Sequence, residues 1–114
     1  MKSLIQDLRA FAKERDWEQF HSPKNLAMAL SVEVAEIVEI FQWLTQEESR
    51  NLNFEKMERV KEEIGDVMIF LANLADKLGI DPMEAAKEKL EINRKKYPAD
   101  LVKGKAAKYT EYKD

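Results

Sequence analysis

The sequence predicts an all-α fold. Only three glycines and three prolines occur in 114 residues, far fewer than the turns of an all-β protein require. Apolar residues recur at helical spacing along most of the chain, and no segment alternates apolar and polar residues as a strand would. The length predicts a single domain over residues 1–114, in which about 99–114 form a basic C-terminal arm.

The first two of four predicted helices cover about residues 3–15 and 23–44. The first opens at Ser3 and places Leu4, Leu8 and Phe11 on one face, with charged residues opposite. Pro23 suits the first turn of the second helix, because its fixed φ is already helical and its missing N–H would have no partner there.

The second helix is apolar on nearly every side. From Leu26 to Leu44 it contains no Lys or Arg, and its only charges are Glu33, Glu36 and Glu39. Such a helix is normally buried on most sides, and a chain of 114 residues is too short to cover it. We therefore expect an oligomer whose interface uses this helix.

The third and fourth helices are predicted over about residues 55–78 and 83–96, after a polar break from Thr45 to about Phe54. Gly79 is a natural C-terminal stop for the third helix. Asp81 can cap the fourth, with Pro82 as its first residue.

Composition excludes several kinds of site. There is no cysteine, so thiolate metal sites and cysteine nucleophiles are excluded, and His21 is the only histidine. The longest uncharged run, Val67 to Ala75, is far shorter than a membrane span, and the first residues lack the apolar core of a signal peptide. Residues 1–86 hold 10 Lys/Arg against 17 Asp/Glu, a poor surface for duplex nucleic acid. These features predict a cytoplasmic protein that binds neither membranes nor duplex nucleic acid.

Two pairs of carboxylates carry the chemistry. Glu33 and Glu36 are three residues apart on the second helix, and Glu63 and Asp66 repeat that spacing on the third. Carboxylates in an apolar stripe need a positive partner, and the second helix offers none. Oxygen ligands without His or Cys favour Mg²⁺, with Mn²⁺ as the alternative, and Mg²⁺ commonly recruits phosphate oxygens. The pattern indicates a magnesium–phosphate site.

Each of these residues also has a purely structural interpretation. The acids can pair with a cation and hold helices together, His21 can be a packing or capping residue, and aromatic side chains on helices most often belong to a core. The cations that could pair with the acids are Arg59, Lys61 and Arg94; the aromatic residues are Trp17, Trp43 and Phe70; Lys89 and Asn93, on the basic fourth helix, can be solvated surface.

The chain resembles the MazG-type all-α nucleoside triphosphate pyrophosphohydrolases, and within them the dCTP pyrophosphatase branch. The likeness rests on the two carboxylate pairs about thirty residues apart and on short motifs, most of them with aromatic residues, that span nearly the whole chain. These motifs are Glu14-Arg-Asp-Trp-Glu-Gln-Phe-His21, Pro23-Lys-Asn-Leu26, Glu39-Ile-Phe-Gln-Trp43, Ile92-Asn-Arg-Lys-Lys-Tyr-Pro98 and Lys108-Tyr-Thr-Glu111.

The resemblance implies a homotetramer, a dimer of dimers with pockets shared between subunits. It implies Mg²⁺-dependent hydrolysis of deoxynucleoside triphosphates to a monophosphate and pyrophosphate, a house-cleaning activity on the nucleotide pool. Glu36 and Glu63 are our candidate catalytic residues, and Glu36 is our candidate for the general base. By position, the metal ligands are Glu33, Glu36, Glu63 and Asp66; Trp17, His21 and Trp43 form the base pocket; Lys89 and Asn93 reach the nucleotide.

Two positions depart from the family's pattern. Phe70, which we also assign to substrate binding because it can pack against a sugar or base, stands where the animal dCTP enzymes carry a Tyr. Leu8 stands where they carry a pocket His. Losing hydrogen-bonding partners relaxes discrimination between bases. We expect dCTP to be preferred, with dATP or other deoxynucleotides also accepted.

Three other functions compete with this one. A phosphoribosyl-ATP pyrophosphatase would use the same metal logic, but the tryptophan-rich pocket argues against it. A non-catalytic helical oligomerisation module would use the apolar second helix only for assembly. A carboxylate metal-storage bundle would need the Glu-x-x-His ligands that this sequence lacks.

Overall fold

The computed structural model describes residues 1–104, which contain helices and turns and no strand. The predicted all-α fold with four long helices is confirmed. The long helices are α1 (Lys2–Glu14), α2 (Pro23–Phe41), α4 (Phe54–Lys77) and α5 (Pro82–Lys96); the short ones are α3 (Gln46–Arg50), α6 (Ala99–Val102) and a 3₁₀ turn at Glu18–Phe20.

Helices α2 and α5 each begin at a proline, as the sequence predicts, and the residue before each proline caps the helix. The Ser22 hydroxyl accepts a hydrogen bond from the Asn25 backbone N–H at 3.1 Å. The Asp81 carboxylate accepts one from the Met83 N–H at 2.9 Å. Each cap satisfies a backbone donor that the first turn of a helix leaves without a partner.

Helix α4 ends at Lys77, one residue earlier than expected. The predicted stop residue is Gly79. Its φ of +68° lies in the left-handed region that favours glycine. The Ile80 N–H then donates to the Ala75 carbonyl at 2.9 Å and the Gly79 N–H donates to the Asp76 carbonyl at 3.2 Å. This pair of bonds is a Schellman motif, which satisfies carbonyls left open by the last turn.

The end of α2 differs from the prediction. The helix stops at Phe41 rather than near residue 44, and the short helix α3, which the sequence analysis missed, follows it. Thr45 and Glu48 form a capping box, in which the Glu48 N–H donates to the Thr45 hydroxyl at 3.1 Å and the Thr45 N–H donates to the Glu48 carboxylate at 2.8 Å. This capping box starts a new helix at Gln46, so α2 does not continue through Trp43 and Leu44.

The described chain divides at Asp81 into two compact units. In the first, α2 and α4 pack along each other and α1 packs on α4. The buried apolar residues are few and mostly small: Ala12, Leu26, Ile40, Ala72 and Ala75. In the second, α5 leads into α6, and Arg94 and Glu91 form an ion pair on α5. The single domain expected from chain length stays a prediction, and residues 105–114 of the proposed arm lie outside the described residues.

Large apolar side chains remain exposed on α2 and α4. On α2, Val32 is 56% exposed and Val38 is 55% exposed. Within the described residues, then, the apolar second helix is covered on only part of its surface. Among residues 1–104, no helix has the length and apolar character that crossing a membrane requires.

Candidate functional site

Three carboxylates from two helices meet in the first unit. Glu33 and Glu36 lie on α2 and Glu63 lies on α4, and one oxygen of each falls within 4.8 Å of the others. The packing of α2 on α4 brings them together, because each pair already projects from one side of its own helix. All three side chains are half-buried.

Nothing positive compensates these charges within residues 1–104. None of the three forms an ion pair there; Arg94, one of the cations considered from sequence, pairs with Glu91 instead. Oε2 of Glu33 and Oε2 of Glu63 are buried without a hydrogen-bond partner. Buried acceptors without partners are costly, so this donor set fits a cation bound between the helices.

The electrostatics of the cluster point the same way. Burial, the largest cause, raises the pKa of Glu33; contact with the carboxyl of Glu63 opposes that shift, and the carboxyl of Glu36 and the charge of Asp66 add to it. Contact with the carboxyl of Glu36, together with burial and the neighbouring Glu33, raises the pKa of Glu63 to about 7. Like charges this close oppose ionisation, and a bound cation would reverse that effect.

Asp66 lies beside the cluster. It is half-buried one turn after Glu63 on α4, and its charge acts on Glu33. It is outside the group of three whose oxygens converge within 4.8 Å. Its assignment as a fourth ligand stays a prediction.

A second feature is an apolar cavity of about 450 Å³ in the same unit. Trp17, His21 and Phe70, three of the residues assigned to nucleotide binding, line it. They are joined by residues of α1 and α4: Asp7, Leu8, Phe11, Ala12, Ile69 and Asn73. The cavity is therefore a pocket between α1 and α4, closed on one side by the segment after α1.

Aromatic contacts hold the tryptophan wall of the cavity. The rings of Phe11 and Trp17 meet edge to face, with centroids 5.6 Å apart and planes at 71°. The Arg15 guanidinium lies 3.7 Å from the centre of the Phe11 ring. These contacts fix the orientation of the indole, which is 45% exposed.

A tight turn at Asp16 brings Trp17 back towards α1. Asp16 has φ of +54°, in the left-handed region, which Asp tolerates better than most residues. The Gln19 side chain donates to the Asp16 backbone carbonyl at 3.0 Å and to the Asp16 carboxylate at 3.2 Å. The Trp17 N–H then donates to the Ala12 carbonyl at 2.9 Å, which anchors the reversed chain.

The cluster and the cavity share α4. Glu63 and Phe70 are seven residues apart, which is about 10 Å along a helix axis. The acids lie on the N-terminal side of this stretch and the cavity on the C-terminal side. One extended ligand with an anionic end and a flat apolar end could contact both.

Three other assigned residues are not among those that line the cavity. Trp43 follows α2, is 87% exposed, and does not line the cavity. Lys89 is exposed and Asn93 is half-buried on α5, in the second unit. Their assignment to the nucleotide rests on the resemblance alone.

Five residues that line the cavity were not predicted to do so from the sequence: Asp7, Phe11, Ala12, Ile69 and Asn73. One signal was available for Asn73, since it is the only polar residue in the uncharged run from Val67 to Ala75. Phe11 was read only as part of the apolar face of α1. Asp7 gave no signal, because a charged residue on a surface helix is ordinary.

Comparison with known proteins gives consistent results. The sequence model of the MazG-like family matches residues 28–112. The human dCTP pyrophosphatase 1 (Homo sapiens) is 44% identical over 113 residues, covering 94% of this chain and 66% of the human protein. The bovine dCTP pyrophosphatase 1 (Bos taurus) is 42% identical over 113 residues, covering 94% of this chain and 67% of that protein. The chain thus spans about two thirds of the length of these relatives.

A solved structure matches over most of both chains. The crystal structure of a pyrophosphatase from Archaeoglobus fulgidus superposes with a TM-score of 0.76 and 46% sequence identity. The match covers 86% of this chain and 92% of that chain.

Proposed function

This chain belongs to the MazG-like family, on its dCTP pyrophosphatase branch, and from that membership and the acidic cluster we propose that it hydrolyses deoxynucleoside triphosphates. The products are a nucleoside monophosphate and pyrophosphate, with dCTP preferred and dATP or other deoxynucleotides accepted. The role is house-cleaning of the nucleotide pool, in the cytoplasm. The convergence of Glu33, Glu36 and Glu63 within 4.8 Å is the observation that carries this proposal.

The cluster would hold Mg²⁺, with Mn²⁺ as the substitute. Glu33, Glu36 and Glu63 supply oxygens without nitrogen or sulfur, the donor set that suits these ions, and Asp66 is the fourth candidate ligand. When bound, the ion offsets the negative charge of the triphosphate oxygens. The buried oxygens of Glu33 and Glu63 would then have a partner.

The apolar cavity would receive the base. Trp17 and Phe70 offer flat rings for packing, and His21 offers a ring nitrogen for a hydrogen bond. Trp43, Lys89 and Asn93 complete the nucleotide site by resemblance. In an oligomer they need not act on the pocket of their own chain.

Hydrolysis needs a water and a proton acceptor. The water oxygen forms a bond to phosphorus while the bond that links the α- and β-phosphates breaks, and pyrophosphate leaves. Glu36 accepts the proton that the water loses, as a half-buried carboxylate next to the other acids can. No side-chain nucleophile is required, in agreement with a sequence that lacks cysteine.

We also propose a homo-oligomer, a tetramer built as a dimer of dimers. Its support is the apolar surface of α2, where Val32 and Val38 are each more than half exposed. The same surface favours the alternative function, a non-catalytic assembly module. The hydrolase and the assembly module differ in metal dependence, because assembly alone leaves no role for a cation at the acids.

The experiment is to incubate the purified protein with each of the eight ribo- and deoxynucleoside triphosphates, with and without Mg²⁺, and to separate the products. Monophosphate and pyrophosphate formed only with metal support the proposal. Diphosphate and orthophosphate would mean that a different bond is cleaved. No turnover of any nucleotide, and no effect of Mg²⁺ on thermal stability, would favour the assembly module.

A further inference from the structure

Two polar side chains lie in the otherwise apolar cavity between α1 and α4. Asn73 is half-buried on α4, and Asp7 is exposed on α1 and lies at the cavity rim. Helical side chains lean towards the N-terminus of their helix, so the Asn73 amide extends over Ile69 and Phe70, which line the cavity too.

In the part of the chain that the structure describes, neither side chain has a partner for its polar atoms. Among residues 1–104, no hydrogen bond or ion pair involves the Asp7 carboxylate or the Asn73 amide. Asn73 interrupts a run of apolar residues from Val67 to Ala75, where a residue chosen for packing alone would be apolar. These groups are available to a ligand in the cavity.

The two groups offer different hydrogen bonds. An ionised carboxylate only accepts, whereas an amide both donates and accepts. An amide alone can rotate to match an amino base or a keto base, so it discriminates weakly. A carboxylate in the same cavity lining removes that freedom, because it faces an amino group favourably and repels a carbonyl oxygen.

We propose that Asp7 and Asn73 select bases whose Watson–Crick edge presents an exocyclic amino group beside an unprotonated ring nitrogen. Asp7 accepts from the amino group and the Asn73 amide donates to the ring nitrogen. Cytosine and adenine satisfy this pattern. Uracil and thymine present a carbonyl oxygen where cytosine has its amino group, and in guanine the ring nitrogen beside the amino group is protonated and cannot accept from Asn73. The inference rests on the proposed function and adds to it a pair of residues that determines specificity.

The test compares dCTP with dUTP, because their bases have nearly the same shape and differ at the amino or keto edge. We would measure kcat/KM for both, and for dATP and dTTP, in the wild type, Asp7→Asn and Asn73→Leu. Glu55→Gln is the matched control, since it removes a carboxylate from an exposed position outside the cavity and the acidic cluster.

The wild type should prefer dCTP over dUTP, and Asp7→Asn should reduce that preference by about tenfold, the usual discrimination from one well-placed hydrogen-bonding pair. Asn73→Leu should lower kcat/KM for dCTP and dATP more than for dUTP, while Glu55→Gln leaves the ratio unchanged. A merely structural role would change all substrates in parallel.

Three results would overturn the inference. The wild type could hydrolyse dUTP as fast as dCTP, which needs no variant to observe. The dCTP/dUTP ratio could stay the same in folded Asp7→Asn and Asn73→Leu proteins, which would overturn this inference and leave the proposed function intact. Finally, a wild type that hydrolyses no nucleotide would overturn both.

Discussion

Arg9 on α1 holds Asp76 on α4 through two parallel hydrogen bonds. The guanidinium donates from Nε to Oδ2 at 2.9 Å and from Nη2 to Oδ1 at 2.5 Å. Asp76 is three residues after Asn73 on α4, and Arg9 is two residues after Asp7 on α1. The pair therefore joins the two helices that form the cavity and fixes the position of one along the other.

Replacing Arg9 with Ala should weaken the cavity more than the acidic cluster. Without the two hydrogen bonds, α1 is less firmly placed on α4, so the melting temperature falls and KM for dCTP rises by up to about tenfold. Mg²⁺ binding should change little, because the acids lie on α2 and α4. Thermal melts and steady-state kinetics measure both effects.

Arg50→Ala is the control for that variant. Arg50 pairs with Glu47 at 3.8 Å, and both side chains are mostly exposed. Exposed pairs of this kind contribute little. Equal losses of stability and equal changes in KM in the two variants would show that Arg9 has no special place at the cavity.

The same ion pair makes stability depend on pH. The hydrogen bonds and charge of Arg9 hold the pKa of Asp76 below its usual value. A lowered folded pKa adds stability that is complete above the unfolded pKa, about 3.9, and is lost as pH falls through the folded pKa. The difference in melting temperature between wild type and Arg9→Ala should thus be constant from pH 7 to about 5 and shrink below about 4. A difference that stays constant down to pH 2.5 would contradict this.

Glu63→Gln should have opposite effects on the protein without and with metal. Neutralising one of three crowded carboxylates relieves their repulsion, so the metal-free variant should melt at a higher temperature than the wild type. The same change removes a ligand, so added Mg²⁺ should stabilise the variant less. Glu55→Gln, on the same helix outside the cluster, should show neither effect. If Mg²⁺ raised the melting temperatures of both variants and the wild type equally, the cluster would not be the metal site.

Phe70→Tyr should sharpen base selection. Phe70 lines the cavity, and the resemblance places a Tyr at this position in the animal dCTP enzymes. A hydroxyl there adds one hydrogen bond to a matching base, so the ratio of kcat/KM for dCTP over dTTP should rise about three- to tenfold. An unchanged ratio would mean that this ring contacts the nucleotide only by packing, or not at all.

The sequence predicts features that depend on local chemistry. The starts of α2 and α5 follow from Ser22-Pro23 and Asp81-Pro82, and the i,i+3 spacing of Glu33 and Glu36 places both on one helix face. The meeting of these acids with Glu63 is also foreseeable, because Glu63 and Asp66 repeat the same spacing on the next long helix and one cation could compensate both pairs.

Features that depend on packing between distant segments are not predictable in this way. Arg9 and Asp76 are 67 residues apart, and neither sits in a motif that marks the other as its partner. Asp7 and Asn73 meet in one cavity only because α1 settles on α4. Helix α3 was missed for a different reason. Its five residues are all polar, so no apolar periodicity marks it, and only its capping box indicates where it begins.

The central claim is that the carboxylates of α2 and α4 form a metal-dependent site for hydrolysing nucleoside triphosphates. The most direct measurement is the rate at which dCTP yields dCMP and pyrophosphate, with and without Mg²⁺, in the wild type, Glu63→Gln and Glu55→Gln. We expect turnover only with Mg²⁺, a loss of about 100-fold or more in Glu63→Gln, and a near-normal rate in Glu55→Gln. Turnover of the wild type without any divalent cation, or a folded Glu63→Gln protein as fast as the wild type, would contradict the claim.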